Sequence, residues 1–162
     1  MLSSGIETAL NQQINLEFES SYLYQSMASY FDKEGFSGFA SWMKLQAKEE
    51  LAHMEKIYSY VYDRGSSVIL DAIQKPKHDW SSVLEVVKDA YKHEQYITKN
   101  IHSVLEAAIK ESDHGTVHFL QWFVEEQVEE EAATRTILEK LEFVGGNHAA
   151  MIMMDREVGS RK

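Results

Sequence analysis

A chain of 162 residues is long enough to close one hydrophobic core, and a hydrophobic fraction of 44% argues against disorder. The absence of cysteine excludes disulfides, iron–sulfur clusters, Cys-bound zinc and thiolate nucleophiles together. A formal net charge of −10 disfavours nucleic-acid phosphates and favours cations, which here must be held by histidine and carboxylate.

No apolar run approaches the roughly 20 residues that span a bilayer, so no membrane partner is expected. The stretch from Met1 to Glu7 lacks the basic and apolar regions of a signal peptide, and a cytoplasmic location is the default. Apolar residues recur every three or four positions, and period-two alternation is hard to find. The expected fold is all-α: a four-helix bundle with a long crossover between its second and third helices and a short fifth helix. One domain is expected over 1–162.

The first helix is expected from Ser4 to Lys33, opened by a capping box of Ser4 and Glu7. Its inward stripe reads Ile6, Leu10, Gln13, Glu17, Ser20, Tyr24, Met27 and Phe31. The second runs from Gly38 to Arg64, where Gly65 ends it in a left-handed conformation. Its stripe is Phe39, Met43, Gln46, Glu50, His53, Ile57 and Val61.

The third helix begins near Trp80, with Ser82 and Glu85 as a second capping box, and ends near Glu111. Its stripe is Val83, Val87, Ala90, Glu94, Ile97, Ile101, Val104 and Ala108. After a break at Asp113 to Gly115, the fourth runs from Thr116 to Phe143. Phe119, Phe123, Gln127 (or Glu126), Glu130, Ala133, Ile137 and Leu141 face inward. Asn147 caps a fifth helix over about 147–158.

Short links make the first and last helix pairs antiparallel neighbours. The segment from Ser66 to Asp79 holds Pro76, the one proline. Extended, it reaches about 46–50 Å. The second helix is about 40 Å long. The crossover can therefore travel the length of the bundle and start the third helix in the direction of the second.

Each stripe carries one mid-helix glutamate: Glu17, Glu50, Glu94 and Glu130. Glu50 is followed one turn later by His53 on the same face. A lone stripe glutamate usually sits at the stripe's edge and reaches solvent. Four at one height would repel each other and lose hydration, at several kcal/mol each. No lysine or arginine stands at that level of the stripes, so divalent cations are the expected neutralisers.

The pattern Glu17, Glu50-x-x-His53, Glu94 and Gln127-x-x-Glu130 resembles non-haem ferritins of the bacterial and archaeal type. Tyr22-Leu-Tyr24, Lys48-Glu-Glu-Leu-Ala-His53, Tyr91-x-His-Glu94 and the run from Phe119 to Gln127 carry the same resemblance. Bacterioferritins differ in having Glu-x-x-His on the fourth helix too and a haem-binding methionine where Leu51 and Ala52 stand here. Rubrerythrins differ in their cysteine-rich domain.

The resemblance implies one iron held by Glu17, Glu50 and His53. It implies a second between Glu50, Glu94 and Glu130, with Gln127 close by, and no haem. A third iron position would use Glu49, Glu126, Glu129 and Glu130; the first three also suit a solvated acidic helix face. Tyr24 is a hydrogen-bond donor to a ligand carboxylate, an electron donor, or simply a core tyrosine satisfied by a glutamate. The implied function is oxidation of ferrous iron by dioxygen or hydrogen peroxide, with ferric mineral stored in a hollow shell of twenty-four copies.

Among weaker signals, His114 and His118 read as surface residues, Met151 to Met154 as packing at a subunit contact, and Trp42 and Trp122 as core. The rival functions are a di-iron oxidase of small organic substrates and a non-catalytic helical module.

Overall fold

The computed structural model describes residues 1–161, which form α1 (Ser4–Glu34), α2 (Ser37–Asp63), α3 (Val83–Lys110), α4 (His114–Val144) and α5 (His148–Val158). No strand occurs among the described residues. None of the helices is long and apolar enough to cross a membrane.

Side-chain oxygens start most of the helices. Ser3 Oγ accepts from Ile6 N at the head of α1, Ser82 Oγ from Glu85 N in α3, and Asn147 Oδ1 from Ala150 N in α5. The capping residue of α1 is thus Ser3 rather than Ser4, and Glu7 instead accepts from Ser67 N at 3.1 Å. The second capping box forms by half. The Glu85 carboxylate reaches Ser81 N and Oγ, not Ser82 N, and α3 starts at Val83 rather than near Trp80. Asp113 accepts from Thr116 N and so caps α4, bringing its start forward to His114. Gly35 and Gly65 take positive φ at the ends of α1 and α2, as a turn with no Cβ permits.

Helices α1 and α2 pack against each other, as do α3 and α4, and α1 joins the two pairs through α3. The crossover is pinned to α1 along its length. Asn11 holds Ser67 O and Ile69 N, Asn15 holds Asp71 N at 3.2 Å, and Ser26 Oγ donates to Lys77 O at 2.7 Å. The partners climb together along both segments, so the crossover runs parallel to α1 and returns the chain to the end where α2 began. That route makes α3 parallel to α2.

Every expected inward position of α1, α2 and α3 is buried. In α4 the frame shifts by one residue at two places. Leu120 is buried where Phe119 is half-buried, and Thr134 is buried while Ala133 is exposed. A buried Thr134 is satisfied because its hydroxyl donates to Glu130 O at 2.7 Å. The apolar core divides in two. One cluster gathers Phe31, Phe39, Met43, Val87 and Leu141, and the other Ile6, Leu10, Ile57, Ile101 and Phe123. The glutamate positions fall between them on all four helices.

Candidate metal centre

The polar layer between the two apolar clusters contains Glu17, Glu50, His53, Glu94, Gln127 and Glu130, all buried; the exposure of the four carboxylic residues is 1%, 2%, 1% and 7%. Among the described residues no lysine or arginine contacts those four groups, and their hydrogen-bond donors are side-chain amides and a phenol. Gln13 Nε2 donates to Glu17 Oε1 at 2.7 Å. Gln46 Nε2 donates to Glu130 Oε2 at 2.6 Å and, more weakly, to Glu50 Oε1 at 3.4 Å. Tyr24 donates its hydroxyl to Glu94 Oε1, and Gln127 Nε2 donates to Glu94 Oε2 at 3.2 Å. Glu17 Oε2 is the one buried side-chain polar atom among the described residues with no partner.

Burial pushes all four carboxyls up. Glu94 and Glu130 rise to about 7, in each case by desolvation first, with neighbouring carboxylates adding to it. Glu17 and Glu50 rise well above the ordinary carboxylate range for the same two reasons. The Tyr24 phenol is pushed well up by burial and by the charge on Glu94 and Glu50, so it stays a donor. These are the energetics of a cluster built for positive charge that its own side chains do not supply.

Two groups offer ligand atoms within 4.8 Å of one another: Glu17, Glu50 and His53, and His53, Glu126 and Glu130. His53 Nδ1 lies 3.4 Å from Glu50 Oε2, and its Nε2 lies 4.0 Å from Glu126 Oε2. Of the outer acids, Glu126 therefore approaches the layer. Glu49 and Glu129 are more exposed and line a cleft beside it.

The aromatic surroundings are mixed. Trp42 is buried and meets Tyr24 edge-on at 6.4 Å. Trp122 is only half-buried, edge-on to His53 at 5.5 Å, with Lys56 Nζ 4.1 Å over its ring. His114 and His118 are exposed.

Sequence reasoning passed over four contributors. Gln46 and Gln13 lie on the inward stripes, and a buried amide beside a glutamate is the signal that would have found them. His93 is half-buried, edge-on to Tyr24 at 6.2 Å; its Nε2 lies 2.7 Å from Ser20 Oγ, and desolvation pushes its imidazole down to about 4. Because Ser20 Oγ donates to Leu16 O, His93 donates to Ser20. The fourth, Arg161, whose guanidinium donates to Gln46 Oε1 and Glu49 Oε2, left no sequence signal.

A family model for the ferritin-like domain matches residues 7–144. The chain belongs to the ferritin family. Among curated relatives, a bacterial non-heme ferritin of Staphylococcus aureus is 42% identical over 99% of this chain and 97% of its own length. A probable bacterial non-heme ferritin-like protein of Haemophilus influenzae is 39% identical over the same shares. Among solved structures, the open-pore ferritin of the hyperthermophilic archaeon Archaeoglobus fulgidus superimposes with a TM-score of 0.99 at 45% identity, each chain covering 100% of the other. A closed form of that ferritin, engineered by site-directed mutagenesis, gives 0.98 at 46% identity, covering 100% of this chain and 99% of its own.

Proposed function

We propose that this ferritin stores iron, taking up ferrous ions as substrate at the carboxylate layer, oxidising them, and passing the ferric product into the cavity of a shell made of its own copies. The observation that carries this reading is the buried quartet of Glu17, Glu50, Glu94 and Glu130, with no cation among its partners and one orphaned carboxylate oxygen. Hard oxygen donors suit iron, and anionic oxygens stabilise the ferric over the ferrous ion, which favours oxidation. The non-heme ferritin names of the relatives support the storage role.

In this reading Glu17, Glu50 and His53 hold one iron. Glu50, Glu94 and Glu130 hold the other, which places Glu50 between the two. Gln13, Gln46, Tyr24 and Gln127 orient the carboxylates by donating hydrogen bonds to them. Carboxyls raised by burial hold their protons more tightly, and ligation requires those protons to leave, so uptake weakens as pH falls. Each ion gives up one electron, and two ions side by side supply the pair needed to reduce dioxygen to hydrogen peroxide, or peroxide to water. The outer acids Glu49, Glu126 and Glu129, with Glu130, offer a third position on the way out.

Replacing Glu50 with alanine tests the assignment. Stopped-flow absorbance is expected to lose the fast phase of aerobic ferrous oxidation, while circular dichroism reports an intact bundle. A fast phase of undiminished rate would remove the oxidation site from this layer. Aerobic addition of ferrous salt in large excess separates storage from the rivals: storage leaves a soluble amber particle, and an oxidase of organic substrates retains no iron.

A further inference from the structure

Beside the carboxylate layer opens a cleft of about 580 Å³ walled by Trp42, Glu49, Glu126, Glu129, Glu130 and Arg161. Four of these six residues are acids; a second cation on the lining, Lys140, is paired with Glu157, so Arg161 is the one seated on the acids beside the layer. Arg161 Nη2 donates to Glu49 Oε2 at 2.5 Å and Nη1 donates to Gln46 Oε1 at 2.7 Å. The guanidinium carbon lies 5.0 Å from the centroid of the Trp42 ring. Gln46 is fully buried, and accepting from Arg161 on its oxygen turns its Nε2 toward Glu130 and Glu50. A chain of hydrogen bonds thus links the tail to the inner carboxylates.

The tail reaches this place through a tight backbone contact. A Cβ on Gly38 would lie 1.7 Å from Asp155 O, and one on Gly159 would lie 2.6 Å from Gly38 Cα. Asp155 Oδ1 also accepts from Phe39 N at 2.9 Å, at the one helix start with no cap of its own. These contacts fix the end of α5 on the head of α2, and Ser160 and Arg161 then cross the mouth of the cleft.

We infer that Arg161 is a tethered counter-cation of the acidic cleft, and that a divalent ion taking the outer position among Glu49, Glu126, Glu129 and Glu130 must displace it. The inference rests on the outer position proposed above. The guanidinium occupies Glu49 Oε2 and neutralises the carboxylate's charge, and a divalent ion on the same carboxylate would be repelled by it, so the two cations compete for one group. The competition keeps the outer position weak, which suits a place of transit rather than storage. Without metal, the same contact holds Glu49 and Gln46 in place.

The test is calorimetric titration of the assembled protein with Zn²⁺, comparing wild type, R161A, R161Q and E49Q. R161A is expected to tighten the Glu49-dependent binding step by about tenfold, the effect of removing one unit charge at contact distance near a protein surface after solvent screening. R161Q removes the charge but keeps an amide able to reach Gln46, and is expected to match R161A. E49Q is expected to abolish that step and leave the tighter inner steps in place. If E49Q abolishes the step but R161A and R161Q bind Zn²⁺ as wild type does, the outer position stands and the competition by Arg161 is overturned. If E49Q changes no step, the outer position itself is absent and the inference falls with it.

Discussion

Glu94 and Glu130 are acids placed where water cannot reach them, with carboxyls raised to about 7. In the unfolded chain such a group titrates near 4.3. The folded form therefore binds more protons than the unfolded form between these values, and stability is fully present below the lower one and lost as pH rises through the upper. The metal-free protein is expected to melt at progressively lower temperature from about pH 5 to pH 7. Zn²⁺, which binds the folded state alone, should raise the midpoint at neutral pH and remove that decline. Differential scanning calorimetry across pH, with and without metal, measures both effects. A midpoint unmoved by Zn²⁺ at pH 7 would count against a buried multi-carboxylate site.

At the scale of elements, the contact between α2 and α5 is the least tolerant of added volume. Gly38 sits in helix α2 against the backbone of Asp155, which cannot swing aside as a flexible side chain would. Gly38→Ala is expected to push α5 away at a cost of about 1–3 kcal/mol. Hydrogen exchange should quicken in α5 while the amides at the centres of α1 and α3 keep their protection. The four long helices are otherwise held by two apolar clusters with a polar layer between. The layer depends on this division, because packing above and below keeps its side chains from rotating out to water.

At the scale of the whole molecule, several large apolar side chains stay largely exposed on a single chain. Tyr62 and Ile69 are each 66% exposed, Leu70 is 57% exposed and Phe143 is 94% exposed. Such patches on a folded surface mark contacts. Copies of the chain are the expected partners, and light scattering of the purified protein should give a particle many times the mass of one chain. Ile69→Asp together with Leu70→Asp should break it into smaller species, since charge desolvated at a contact is costly. A monomer-sized wild-type particle would leave iron oxidation standing and remove storage.

The sequence by itself determined the helices and most of what they bury. The three-to-four periodicity of α1, α2 and α3 is carried by large apolar residues, which leave little freedom in how each helix is turned. The mid-helix glutamates interrupt those stripes in register, so the carboxylate layer was legible before any coordinates. In α4 hydrophobicity pointed to Phe119 and Ala133, whereas the inward frame takes Leu120 and Thr134; the Thr134 hydroxyl is buried at little cost because it bonds its own helix. Only the tertiary structure decided which donor holds each glutamate, since Gln13, Gln46 and Tyr24 reach their partners through side-chain directions that spacing does not encode. Only it placed Arg161 on Glu49, residues far apart in the chain that meet because two glycines let α5 lie directly on α2. Local periodicity reports the face a residue occupies, and contacts between distant segments depend on how whole elements dock.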